Sequence, residues 1–194
     1  MILPVVEGLS EVQAVPVLLR RLLARLGRED IQIARPFRVS RLKVVRPGEL
    51  ERAILQGSRD RNNLSALLVL LDADDDDPAS LEIHLMERCH AATALPAAVI
   101  AARREFESWF LGGKDAFRGF RGIRPDANAP PDPESIRGAK ERLSRNMAGR
   151  SYVEVDDQPA FAERLDLELA SQRCASLRRL MAELERIAKD IPLL

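Results

Sequence analysis

The sequence predicts an α/β fold: a four-stranded, mostly parallel sheet flanked by helices, followed by a smaller helical extension. Three observations carry this. Strand-like and helix-like patterns alternate four times within residues 1–112. The clearest strand-like segments are nearly continuous apolar runs, as expected where both faces of a sheet are covered. After a proline-rich stretch, only helical periodicity remains.

Ile2 to Val6 is short, apolar and partly β-branched, and stops at Glu7-Gly8, which reads as a buried strand. Ser10 is placed to cap the helix that follows, with Gln13 completing a capping box. Val12, Val15, Leu18, Leu19, Leu22 and Leu23 share one face of that helix. Pro16 inside the pattern predicts a kink or a delayed start, and Gly27 predicts an end. Residues Ile31 to Val45 are expected to hold a second strand, alternating in part from Val39 to Val45. Pro47-Gly48 breaks it, and Glu49 to Arg59 reads as helix. Leu64 to Leu71 is an apolar run that stops at Asp72-Ala73-Asp74, with further acids up to Asp77-Pro78. A helix from about Ser80 to Ala91, a strand at Ala97 to Ala102 and a helix over Glu105 to Leu111 complete the alternation.

Pro125 to Pro133 contains four of the twelve prolines and reads as a loop. Helical patterns follow at Pro133 to Asn146, Gln158 to Ser171 and Ala175 to Lys189. The expected division is an α/β unit over residues 1–112 and a helical extension over 113–194 packed on it.

Composition narrows the function classes. A hydrophobic share of 46 % supports a core, yet no apolar run reaches the ~18 residues of a membrane span. No basic segment precedes the first apolar stretch, so no signal peptide is expected. Cys89 and Cys174 form no C-x-x-C pair, and a reduced, cytoplasmic chain is the simplest reading. The formal net charge is zero, so no global basic field announces nucleic acid. Only Lys43, Lys114, Lys140 and Lys189 interrupt an otherwise all-arginine set of cations. Arginine suits bidentate phosphate contacts, but a GC-rich coding sequence explains the bias as well.

The acids fall where an open parallel sheet forms its sites, at the carboxyl ends of strands. Glu7 ends the first strand, and Glu11 follows one helical turn later. Asp72 and Asp74 end the third, and Glu105 and Glu107 follow the fourth. Such a group either holds protons or gathers around a cation. Oxygen ligands without histidine or cysteine suit Mg²⁺ or Mn²⁺, which serve phosphodiester chemistry. Each piece also has a simpler reading. Glu11 suits a helix start, the acids after Asp74 suit a solvated loop or a cap, and Glu107 suits a solvent-facing first turn.

Val5-Val6-Glu7-Gly8-Leu9-Ser10-Glu11 and Leu71-Asp72-Ala73-Asp74 resemble the Toprim pattern of topoisomerases, primases and overcoming-lysogenization-defect (OLD) nucleases. Nearly the whole chain resembles the bacterial domain-of-unknown-function 4276 family. That likeness also rests on Arg104 to Phe110, Ala139-Lys140, Tyr152 and Asp157-Gln158. The resemblance implies a Toprim-like Rossmannoid sheet with Glu7, Asp72 and Asp74 as metal ligands. Glu7 would also be catalytic, and Glu11 and Glu105 would complete a site for two Mg²⁺ or Mn²⁺ ions. It further implies Lys140 as a phosphate-stabilising catalytic group, nucleic acid as substrate, and an ATPase partner protein. The implied activity is metal-dependent hydrolysis of DNA or RNA in phage defence. A non-catalytic metal-dependent binding module and an aspartate-nucleophile phosphatase are the alternatives. Homo-oligomerisation stays open.

Other residues have mostly structural readings. Phe106, Trp109 and Phe110 suit the core, and His84 and His90 lie too far around a helix to share a metal. Both cysteines read as buried apolar groups. Arg103 and Arg104 suit either a phosphate contact or neutralisation of nearby acids. Arg118, Arg121 and Arg124 suit a basic lip over the site or a solvated loop.

Overall fold

A computed structural model describes residues 1–59 and 61–193. Four strands form: β1 (Ile2–Val6), β2 (Phe37–Arg38), β3 (Ala66–Asp72) and β4 (Ala97–Ala102). They pair in the order β2-β1-β3-β4, every pair parallel. The strands of β1, β3 and β4 are buried at every residue, which accounts for their unbroken apolar sequence.

Alternation along these strands sends side chains to two cores. Ile2, Val6, Leu68, Leu70 and Ile100 face one layer, built by α1 (Glu11–Arg25), α5 (Glu107–Gly112), α7 (Glu154–Arg164) and α9 (Ala175–Asp190). Leu3, Val5, Leu67, Val69, Leu71 and Val99 face the other, built by α2 (Arg41–Val44), α3 (Glu49–Ser58) and α4 (Pro78–Ala92). Two shorter helices, α6 (Ala139–Arg145) and α8 (Leu167–Arg173), join the first layer. Helices on both sides of residue 113 therefore share one core. Aromatic rings fill it, with Phe117 stacked on Phe161 at 4.5 Å between centroids and Phe106 tilted on Trp109 at 4.8 Å.

Several expectations need correction. The second strand is only Phe37–Arg38, and the partly alternating stretch after it becomes the helical turn α2. Val39 and Val44 are five apart, which would place them on opposite faces of a strand, yet both are buried in one core. Pro16 does not delay the start of α1, which runs from Glu11 to Arg25 with the proline inside it. Ser10 already has helical backbone angles and its hydroxyl caps nothing. The pattern over Pro133 to Asn146 is interrupted by Gly138, whose φ of +69° places it in the left-handed region. A 3-10 turn, Pro133–Ser135, precedes that break and α6 follows it. The pattern over Gln158 to Ser171 divides into α7 and α8, where Asp166 caps α8 by accepting from the Leu169 N–H at 2.9 Å.

The free edge of β4 is closed by side chains from two helices. Glu82 of α4 accepts from the Ala101 N–H at 2.7 Å, and Arg186 of α9 donates to the Ala97 carbonyl at 2.8 Å. Glu82 also pairs with Arg179 of α9, joining the two layers across the edge.

Candidate functional site

From β1 the chain moves outward to β2, then crosses back to place β3 on the other side of β1. The carboxyl ends of β1 and β3 therefore flank the point where the winding reverses, the usual crevice for ligands in an open α/β sheet. Glu7 leaves β1 and Asp72 ends β3 at this point. The Asp72 N–H donates to Glu7 Oε2 at 3.4 Å, which ties the two strand ends together.

Glu11, the first residue of α1, folds its carboxylate back over the preceding loop. Its Oε2 accepts from the N–H groups of Glu7 at 3.1 Å and Gly8 at 3.2 Å. Gly8 permits this approach, since a Cβ there would stand 2.8 Å from Glu11 Oε1. Asp72 is held by the Phe106 N–H, which donates to its Oδ1 at 2.7 Å. Asp74 lies beyond the strand with φ of +51°, its N–H donating to the Arg104 carbonyl at 3.0 Å. Arg104 is itself left-handed at +68°. A pair of non-glycine residues in that region stores strain where two strand ends meet.

The fourth member of the acid group is Glu107. It is 1 % exposed, and its Oε1 accepts from Tyr152 Oη at 3.2 Å and from Gln158 Nε2 at 3.1 Å. Glu105 points elsewhere. Its Oε1 accepts from the Gly138 and Ala139 N–H groups at 2.8 and 3.0 Å, at the start of α6. Helix α5 begins between the two acids, with Phe106 already in helical conformation, so Glu105 is turned toward α6 and Glu107 into the core. Glu107 shares a helix face with Phe110 and Leu111, three and four residues on, both buried. Every residue of α5 is buried, Glu107 among them, which corrects the solvent-facing reading.

Electrostatics mark Glu7, Glu11, Asp72 and Glu107 as one group. Burial raises all four carboxyls above the ordinary range, Glu107 to about 7. Neighbouring charge adds to this: Asp72 feels Glu11, Glu107 and Glu7, and Glu7 feels Asp74. Lys140 of α6 answers them. It bonds Glu154 at 3.1 Å, and the charges of Glu107 and Asp72 help hold its ammonium above the ordinary lysine range. The remaining acids of the run serve structure. Asp75 pairs with Arg137 and Arg104, Asp76 with Arg41, and Asp77 caps α4 by accepting from the Ser80 N–H at 2.9 Å.

A cavity of about 160 Å³ lies beside the group, lined by Asp74, Asp75, Arg104, Glu105, Arg137 and Gly138. On the β2 side a cleft of about 420 Å³ is lined in part by Arg38, Lys43 and Arg52. Arg38 links that cleft to the site, its Nε donating to the Glu7 carbonyl at 3.1 Å. Of the basic lip, Arg121 is drawn onto Asp157, and Arg118 binds Asp115, Asn128 and the Ala127 carbonyl. Arg103 is exposed, His84 and His90 are exposed, and both cysteines are buried.

Among the described residues, no three His, Cys, Asp or Glu side chains converge as a ready-made metal site. The donors present are of the oxygen-only type that hard divalent cations take. Glu7, Asp72 and Glu107 offer oxygen alone, and their mutual repulsion is relieved by positive charge. No helix among the described residues is long and apolar enough to cross a membrane.

Fold and site together define an α/β protein with a buried acidic centre at its switch point. Its sequence matches the model of the domain of unknown function DUF4276 over residues 6–185, and the chain belongs to that family. Comparison with curated proteins returns no match, and neither does comparison with solved structures.

Proposed function

We propose that this chain is a Mg²⁺- or Mn²⁺-dependent phosphodiesterase acting on DNA or RNA, related to the Toprim nucleases of the OLD type. The observation that supports this best is the set of four carboxylates gathered at the switch point with one lysine among them. Glu7, Asp72 and Glu107 would hold the metal, with Asp74 at the mouth of the site. A bound ion of this kind lowers the pKa of water and offsets charge developing on phosphate oxygens.

The chain's own groups have separate tasks. Tyr152 and Gln158 hold the Glu107 carboxylate in one orientation through two hydrogen bonds. Phe106 N–H does the same for Asp72. Lys140, anchored by Glu154, places a cation beside the acids where a phosphate oxygen would lie. Glu11 keeps the β1–α1 loop folded by engaging two of its amides, so its role here is to position Glu7. Glu105 fixes α6, and through it Lys140.

Purified protein is expected to cleave DNA or RNA only with Mg²⁺ or Mn²⁺, and Glu7→Gln, Asp72→Asn and Glu107→Gln are each expected to abolish cleavage. Absence of cleavage on every nucleic acid tried, with and without the genomic partner, would sink the proposal. The resemblance supports an ATPase as that partner and phage defence as the setting. A second reading, a metal-dependent binding module without turnover, is favoured by the backbone engagement of Glu11 and Glu105. Calorimetry showing metal binding with no hydrolysis would select it.

A further inference from the structure

Lys114 is an anomaly outside the acidic centre. It opens the 3-10 turn Lys114–Phe117 directly after α5, and it is 1 % exposed. An ammonium carries three donors and no acceptor. Among the described residues Lys114 makes one hydrogen bond, from Nζ to Asn146 Oδ1 at 3.2 Å, and no ion pair. Asn146 is neutral, and burying a cation without a counter-charge costs several kcal/mol.

The charges of Arg142 and Arg124 act on Lys114 and are of its own sign. Asn146 joins the three segments: its carbonyl accepts from the Arg124 main-chain N–H at 2.9 Å, and its Nδ2 donates to the Arg142 main-chain carbonyl. Arg142 is exposed and makes no ion pair among the described residues. Arg124 reaches only the exposed Asp126, at 3.6 Å. The neighbouring acid Asp115 is already shared between Arg118 at 2.8 Å and Arg173 at 2.6 Å. Burial, and then the charge of Arg142, depress the Lys114 ammonium to about 8. An anion seated here would supply the missing acceptors and the missing charge together.

The location relates this cluster to the acidic centre. Both α5 and α6 begin at the centre, with Glu107 and Lys140 in their first turns; Lys114 lies two residues beyond the end of α5 and Asn146 caps the end of α6. Asn146 stands six positions after Lys140, a rise of about 9 Å at 1.5 Å per residue. That length corresponds to about two to three nucleotides at 3.4 Å of rise each.

We infer that Lys114, Arg124 and Arg142 bind a backbone phosphate of the substrate two or three nucleotides from the reacting one. The substrate is then a polynucleotide strand lying along α6, not a small phosphodiester. This inference rests on the function proposed above and adds the direction in which the strand runs.

The test uses the full chain in chelator, with a fluorescein-labelled duplex oligonucleotide read by anisotropy over a salt series. Arg124→Glu with Arg142→Glu reverses two exposed charges without touching the core. Lys114→Met removes the buried one, and Arg20→Glu, exposed on α1, controls for net charge. The double variant is expected to bind about tenfold or more weakly, with the salt slope reduced by about one, the share of a single phosphate. Lys114→Met is expected to lower affinity in the same direction, and the control to bind as wild type does. Equal binding by wild type and the double variant overturns the inference, as does a wild type that binds no oligonucleotide at any salt. Displacement of the oligonucleotide by millimolar inorganic phosphate also overturns it, since the site would then serve a small anion. Binding that behaves as expected, from a protein that cleaves nothing with Mg²⁺ or Mn²⁺, would count against hydrolysis and leave the strand path standing.

Discussion

Replacing Glu107 by Gln should make the protein more stable and inactive at once. The carboxyl of Glu107 is raised from 4.5 to about 7 by burial first, with the charge of Glu154 adding to it. At about 1.36 kcal/mol per pKa unit, ionising it in the folded protein costs about 3 kcal/mol. The sign follows from proton binding. Between pH 4.5 and 7 the folded chain keeps a proton that the unfolded chain has lost, so wild-type stability falls as pH rises through that window. Gln keeps the carbonyl oxygen that Tyr152 and Gln158 donate to, and it carries no charge. In chelator, the variant should match wild type near pH 4.5 and exceed it by about 3 kcal/mol at pH 8. For a chain of this length that is about 6–12 °C in Tm. Urea unfolding at pH 5, 6, 7 and 8 measures the difference directly. Parallel pH profiles for the two proteins, or a variant less stable than wild type at pH 8, would refute the reasoning.

Three further outcomes test the supporting structure. Gly138→Ala places a Cβ 2.6 Å from Glu141 Oε2 at a left-handed φ, and should cost about 1–2 kcal/mol in denaturant unfolding while loosening the grip of Glu105 on α6. Glu134→Ala removes a buried carboxylate that accepts from Ala175 N at 2.8 Å and Ser176 N at 3.1 Å at the start of α9. The loss should be about 1.5–3 kcal/mol, with faster amide exchange in the first turn of that helix. Phe161→Ala empties the stack against Phe117 and should cost about 3–5 kcal/mol by urea unfolding.

Where apolar runs were long and acids sat at their ends, the sequence was a good guide. β3 and β4 are legible because strands buried on both faces must be apolar throughout, and Asp72 marks the end of β3 because nothing else charged could stand inside it. The second strand is shorter than its pattern suggests because two paired residues leave almost no signal, while Val39 before α2 and Val44 within it are buried apolar residues that extend the strand-like stretch. The acids after β4 show the limit of reading by position. Glu105 and Glu107 are two apart and equally acidic, and the start of α5 between them, with Phe106 already helical, turns one toward α6 and the other into the centre. Lys140 lies 68 residues from Asp72 in sequence, and the family likeness alone singled it out. Tyr152 and Gln158 were part of that likeness without a stated role; the fold supplies one by bringing both onto Glu107.

The closure of β4 by Glu82 and Arg186 bears on how this chain meets other proteins. Backbone groups left open on an outer strand invite another chain to add a strand, the commonest start of unwanted aggregation. Here the Ala101 N–H and the Ala97 carbonyl are already engaged, and the pair between Glu82 and Arg179 stands across the approach. A partner arriving on that flank meets side chains and must recognise them. Cutting the latch, for instance with Glu82→Ala, would expose a strand of small residues and should turn a well-behaved protein into one that self-associates through its sheet.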